Sequence, residues 1–372
     1  MRAVEPNTIR RRGTGLRTLD PERASPGYTL FTPNTGNGIV VLIDLAGNVT
    51  HTWQMPYPPG LYGYLTDRDT LFYNGKIPNE SFMGQRAFQG GVVLEADWNG
   101  NVRWELRYPD HHHDGRLLRN GNVILLCATA LPKHVAQQVQ GGLAGLEADG
   151  VMYSDYLVEL TTSGETVWEW RVWEHLDPAS HPITSPSDSR AEWTHGNTVI
   201  ELPDGNLLFS MRNISSVVRI NRRTGAIDWE LGAPPLSGMH AVNPLPNGNL
   251  LLFDNGPYRV DQARLAQSAA PFSRVLELDP TNNSIVWEYR DPVAHAFFSA
   301  LISNAQRLPN GNTLINEGLY GRLFEVTPVG DVVWEYVNPY FGPETAPPNA
   351  RLNNVFRAYR YTAEEIARAQ TA

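Results

Sequence analysis

Three histidines, one arginine and two asparagines carry the chemistry available to this chain: His113, His195, His240, Arg212, Asn197 and Asn255. An imidazole can attack as a nucleophile, move a proton or ligate a metal. A guanidinium fork holds a tetrahedral oxyanion better than a point charge does. Their spacing in the sequence is wide, so only a fold that gathers distant segments could bring them to one pocket.

Such a fold is written in the chain as a repeat. A phrase of the type Val-x-Trp-Glu recurs six times, centred on Trp53, Trp104, Trp168, Trp229, Trp287 and Trp334, and each follows an apolar strand and a Gly- or Asn-containing turn. These read as outer hairpins. A second phrase precedes them: Arg119-Asn-Gly-Asn122, Pro203-Asp-Gly-Asn206, Pro246-Asn-Gly-Asn249 and Pro309-Asn-Gly-Asn312, with a degenerate Asp67-Arg-Asp69. Each lies between two short β runs and closes an inner hairpin. Successive tryptophans are 51, 64, 61, 58 and 47 residues apart, against roughly 40 to 50 in common propeller blades.

Two hairpins per repeat predict an all-β, six-bladed β-propeller with four-stranded blades over residues 28–361. The first repeat, Tyr28 to Trp53, has only three strands. The segment Asn353 to Tyr361 is β-like and otherwise without a partner, so it is expected to supply the missing innermost strand and close the ring. Residues 1–27 read as a polar tail or strap, and 362–372 as a C-terminal tail. The repeated Trp and Glu residues are assigned to packing.

Strand alternation puts the start of each innermost strand at the end of the ring opposite the Asn-Gly turns. The long insertions 130–154, 173–192, 256–272 and 291–300 fall at the same end, as expected for a binding face. Counting back eight residues from the Gly of each turn aligns His113, Asn197, His240 and Ser303. With a period of two, His111 and His195 should share that face. Arg212, Asp254 and Asn255 end the partner strands there. His112, His134, His175 and His181 lack this register and read as surface or loop residues. Tyr153, Tyr258, Phe297 and Phe298 are loop aromatics that could accept a phenolic ring or simply pack.

At these residues the chain resembles the arylsulfate sulfotransferases that work without the nucleotide sulfate donor, as a short member without the extra N-terminal domain. The resemblance runs from about Tyr28 to Tyr361. It rests on Gly27-Tyr-Thr-Leu-Phe31, Leu42-Ile-Asp44, His112-His-Asp114, Trp193-x-His195-x-Asn197 and Ser210-x-Arg212. It rests also on Gly238-x-His240, Phe253-Asp-Asn-Gly256 and Phe356-Arg-Ala-Tyr-Arg-Tyr361. It implies that His240 is a transiently sulfated nucleophile and that His113, His195, Asn197 and Arg212 line the sulfate pocket. His111 and Asn255 are expected as further substrate contacts. On that reading Arg212, Asn197 and His195 hold sulfonyl oxygens, His113 exchanges protons with the phenol, and no cofactor or metal is required.

Two other functions compete. Histidines from several blades, among them His111, His113, His195 and His240, could bind a divalent metal for a hydrolase, hydratase or lyase. Two points stand against this: Arg212 would repel a cation, and only Asp114 or Asp254 is at hand to orient an imidazole. A non-catalytic binding propeller would need no imidazoles in its channel.

Composition narrows the partners. A formal net charge of −9 gives no electrostatic reason to expect nucleic acid. The single cysteine, Cys127, allows neither an intrachain disulfide nor a Cys/His zinc site. The basic N-terminal stretch has no apolar segment behind it, and no run is long enough to span a membrane. The expectation is a cytoplasmic protein, with a processed secreted form as the alternative, acting on a small aromatic anion; a homodimer stays open.

Overall fold

A computed structural model describes residues 13–86, 88–147, 150–259, 271–293, 296–345 and 350–372. Six antiparallel sheets form the blades, five of four strands and one of four with an added outer strand, each ordered from an innermost to an outermost strand, and the fold is the six-bladed β-propeller expected. Blades 1, 2 and 6 belong to one compact unit; blades 3, 4 and 5, with the segment 78–91, belong to a second. Among the described residues, no helix is long and apolar enough to cross a membrane.

In the first unit, blade 1 takes its innermost strand from the C-terminus: Val355–Tyr361 pairs with Tyr28–Pro33, followed by Ile39–Ile43 and Val49–Gln54. Blade 6 has a fifth strand, because Gly15–Leu19 adds to the outer edge of Val332–Val337. Part of the expected N-terminal strap is therefore sheet. The end of the chain is a short helix, Ala363–Ala369, closed by a capping box at Thr362 and Glu365.

The repeated residues explain the repeated geometry. The turn glycines Gly121, Gly205, Gly248 and Gly311 all have φ between 83° and 92°, a region closed to most side chains; in blade 2, Asp69 takes that place at φ 61°. The asparagine that follows clamps a glutamate of the third strand: Asn122 to Glu159 at 2.6 Å, Asn249 to Glu277 at 2.7 Å and Asn312 to Glu325 at 2.6 Å. Tryptophans tie a blade to the outer turn of the next. Trp53 donates to Asp97 O, Trp334 to Leu45 O, and Trp229 to Asn283 Oδ1. In blade 3 this tether is Trp170, bonded to Gly225 O at 2.8 Å, rather than Trp168 of the repeated phrase.

Candidate functional site

The second unit holds the site. Its innermost strands are His111–Leu117 in blade 3, Gly196–Glu201 in blade 4 and His240–Pro244 in blade 5. Each is irregular near its start. The register slips between the partners of His111 and Gly115, between Gly196 and Thr198, and between His240 and Asn243. His195 and Ala241 have φ of 48° and 53°, conformations costing about 1–3 kcal/mol each. A bulge breaks the alternation of side chains and re-aims them. Side-chain bonds join the strands: Asp114 Oδ2 accepts from Val199 N–H at 2.7 Å, and Thr198 Oγ1 from Ala241 N–H at 3.0 Å. The alignment of His113, Asn197 and His240 thus agrees with these links to within one residue.

The bulge in blade 3 exchanges the roles expected of its histidines. His111 does not share the face of His113. Its Nδ1 accepts from Gly91 N–H at 3.2 Å, and its Nε2 donates to Asp114 O at 3.3 Å. Burial pushes its pKa down to about 4, so it is a neutral tether for the segment 78–91. His112, expected at the surface, is instead fully buried. One ring nitrogen from each of His112, His113 and His195 lies within 4.8 Å of the other two. Neither nitrogen of His112 has a hydrogen-bond partner among the described residues. Desolvation first, then the neighbouring His195 and His111, holds its pKa well below the usual range.

Phe88 covers this trio, with ring centroids 4.7 Å from His195, 5.4 Å from His112 and 6.0 Å from His113. The segment that carries it is anchored by Phe82, stacked on Tyr153 at 3.7 Å with the Arg86 guanidinium over its ring. His195 is oriented by Glu192, whose Oε2 meets Nδ1. The backbone at His195 is held by Asp155: Oδ2 accepts from Gly196 N–H at 2.6 Å and from Thr194 Oγ1. Burial raises the Asp155 pKa to about 6 despite these bonds.

Arg212 is joined to His195 through its own N–H, bonded to His195 O at 3.0 Å. Its guanidinium meets Asp188 at 2.8 and 3.4 Å and Asn213 Oδ1 at 2.8 Å. Its buried Nε has no hydrogen-bond partner among the described residues. A cavity of about 210 Å³, partly open to solvent, lies here between Arg86, Phe88, Asp188, Glu192, His195 and Arg212. Tyr258 reaches its rim, within 3.4 Å of Asp188. Phe297 is core, packed on Phe253 and Tyr289. Residues 260–270 of the insertion 256–272 lie outside those described.

His240 sits on the next blade. Asn197 reaches toward it, donating from Nδ2 to Met239 O at 2.8 Å, while its Oδ1 accepts from Thr198 and Ser210 hydroxyls. Asn197 is thus a brace for the strand that carries His240. His240 Nδ1 is 2.8 Å from Asn255 Oδ1, and Asn255 Nδ2 donates to Ser299 O at 2.8 Å. That second bond fixes which end of the amide faces the ring. Nδ1 therefore carries the proton and Nε2 the lone pair. Gly238 brings the strand against Arg212: a Cβ there would lie 3.9 Å from Arg212 Cγ.

Both objections to a cation at the histidines are removed by residues that the repeat did not point to. Arg212 is neutralised by Asp188, and Glu192 is a carboxylate in place to orient an imidazole. Glu192 stands three residues before His195 in Glu192-Trp-Thr-His195, a pairing legible in the sequence. Asp188, Arg86 and Phe88 lie on insertions, where no period marks them.

Comparison with known proteins agrees with this architecture. A solved protein of unknown function from Bacteroides caccae is 13% identical, with a TM-score of 0.53, over 84% of this chain and 94% of its own. A streptogramin B lyase is 13% identical, with a TM-score of 0.47, over 94% of this chain and 93% of its own. At this identity the first is a likeness of fold alone. No curated protein matches the sequence. The sequence profile of the arylsulfotransferase (ASST) family matches residues 76–236 and 235–339, which take in every candidate residue named above, and the chain belongs to that family.

Proposed function

We propose that this protein moves a sulfo group from an aryl sulfate to a phenol through a covalent intermediate on His240. The observation that carries this reading is the Asn255 bond, which leaves the nucleophilic lone pair on Nε2. In the first step that lone pair bonds to sulfur as the aryl S–O bond breaks, and the electron pair leaves on the phenolate oxygen. His113 gives that oxygen a proton. The sulfated ring is cationic, and its Nδ1–H bond to Asn255 strengthens as the charge develops. In the second step a phenol oxygen attacks sulfur, His113 takes its proton, and the N–S bond breaks to restore His240.

The sulfonyl oxygens carry the charge that the pocket must hold. Arg212 supports this role with an unused Nε–H beside the cavity, and His195 faces the same space. Phe88 and Tyr258 supply aromatic surface for the aryl group. The reading is tested by intact-mass spectrometry after brief exposure to excess 4-nitrophenyl sulfate. One added sulfo group, discharged by phenol and absent from His240→Ala, is the expected result. Release of 4-nitrophenol with no adduct, and unchanged in His240→Ala, would overturn it.

A further inference from the structure

We infer that His112, His113 and His195 form a binding site for a divalent transition metal with three imidazole ligands and an open position toward the cavity. One nitrogen from each of the three rings is already within 4.8 Å of the other two. A four-coordinate ion with bonds of about 2.0–2.1 Å would draw them to roughly 3.4 Å apart, a side-chain adjustment only. His112 supplies the independent indication. A fully buried imidazole with both nitrogens unpaired among the described residues leaves a polar group unsatisfied at a cost of about 1–3 kcal/mol, and ligation satisfies it.

The surroundings match a metal centre. Glu192 on Nδ1 of His195 turns Nε2 into the ligating atom, the carboxylate–histidine arrangement found behind metal-bound imidazoles. Two arginines line the cavity: Arg212 is paired with Asp188 and Arg86 lies over the Phe82 ring, while the Glu192 carboxylate stands directly against the imidazole of His195. His195 borders the cavity, which gives an ion a path and a place for water. An all-imidazole set selects zinc, cobalt, nickel or copper over magnesium or calcium.

The site shares His113 and His195 with the sulfonyl pocket proposed above. A bound ion and an aryl sulfate therefore exclude each other, and zinc acts as a competitive inhibitor. This exclusion rests on the sulfotransferase reading; the binding does not. The test is a titration of the full-length, metal-stripped protein with cobalt(II), followed by its visible ligand-field absorption and displaced by zinc, beside a sulfo-transfer assay. One equivalent should bind; in His112→Ala the saturable band should be lost, and whatever transfer rate the variant has should no longer fall on adding zinc. Glu192→Gln should bind about 10–100-fold more weakly. X-ray absorption of the zinc-loaded wild type, which needs no variant, should count three imidazole nitrogens.

No saturable band, a band untouched by His112→Ala, or fewer than three imidazoles would overturn the site. Transfer undiminished at saturating zinc would overturn the exclusion. A protein that binds metal but never transfers a sulfo group retains the site and loses the proposed function.

Discussion

His240 and Asn255 are joined by a 2.8 Å bond between Nδ1 and Oδ1, and the orientation of the amide is set from behind by Ser299 O. Asn255 thereby decides the protonation pattern of His240. Asn255→Ala should lower kcat by about 100-fold, in the range for a lost group that stabilises developing charge, with little change in KM. Asn255→Asp keeps the acceptor and should recover part of the rate. Steady-state kinetics with 4-nitrophenyl sulfate checks both, and equal losses in the two variants would argue for a merely structural bond.

Arg212 offers an Nε–H that lysine lacks. Arg212→Lys keeps the charge but loses the fork and the pairing with Asp188 and Asn213. Its kcat/KM for aryl sulfates should fall by about 100-fold or more. Neutral phenol acceptors should show much less change in KM, which separates anion recognition from general damage.

Gly90 has no room for a side chain. A Cβ there would stand 2.3 Å from both His111 Nδ1 and His112 O, so Gly90→Ala must push the segment 78–91 off blade 3. The expected result is loss of at least about 1 kcal/mol of stability, the usual scale of overpacking. A blue-shifted or quenched aromatic signal from the Phe82–Tyr153 stack should accompany it. A wild-type urea midpoint in this variant would contradict the packing described.

Acid stability depends on opposed groups. His111 titrates at about 4 in the folded chain against an ordinary 6.5, so between those values the unfolded chain binds the proton and stability falls with pH. The displacement is worth at most about 3 kcal/mol, and His112 acts with the same sign. Asp155, raised to about 6 from 3.8, acts oppositely: below pH 6 the native carboxyl takes a proton first and offsets part of the loss. Urea unfolding at pH 7.5, 6 and 5 should therefore show a steeper acid loss for Asp155→Asn and a shallower one for His112→Leu.

The fold was legible because its signals repeat. A Gly that must adopt positive φ, followed by an Asn that must clamp a Glu, recurs in blade after blade, and the missing first strand pointed to Val355–Tyr361. The site was legible only in part. Counting from Gly121, Gly205 and Gly248 found the region where the innermost strands start, and the period of two past them held for His195 but not for His111, because the blade 3 strand is bulged there. This is why His111 and His112 exchanged roles. Asp188 and Phe88 lie on insertions that carry no period, so their meeting with Arg212 and His195 could be found only in three dimensions.

The innermost strand of blade 1 also sets a timetable for synthesis. Tyr28–Pro33 is made early, but its partner Val355–Tyr361 comes about 330 residues later, a wait of roughly 15–65 s at ordinary translation rates. Over that interval Leu30 and Phe31, both fully buried at the end, lie beside an unfilled strand position. Blade 6 waits as well, since Asn304 grips Ala358 at both N–H and O. The nascent chain is thus vulnerable at its first blade until Val355–Tyr361 has left the ribosome, and a message truncated before that strand yields an open edge rather than a slightly shorter protein.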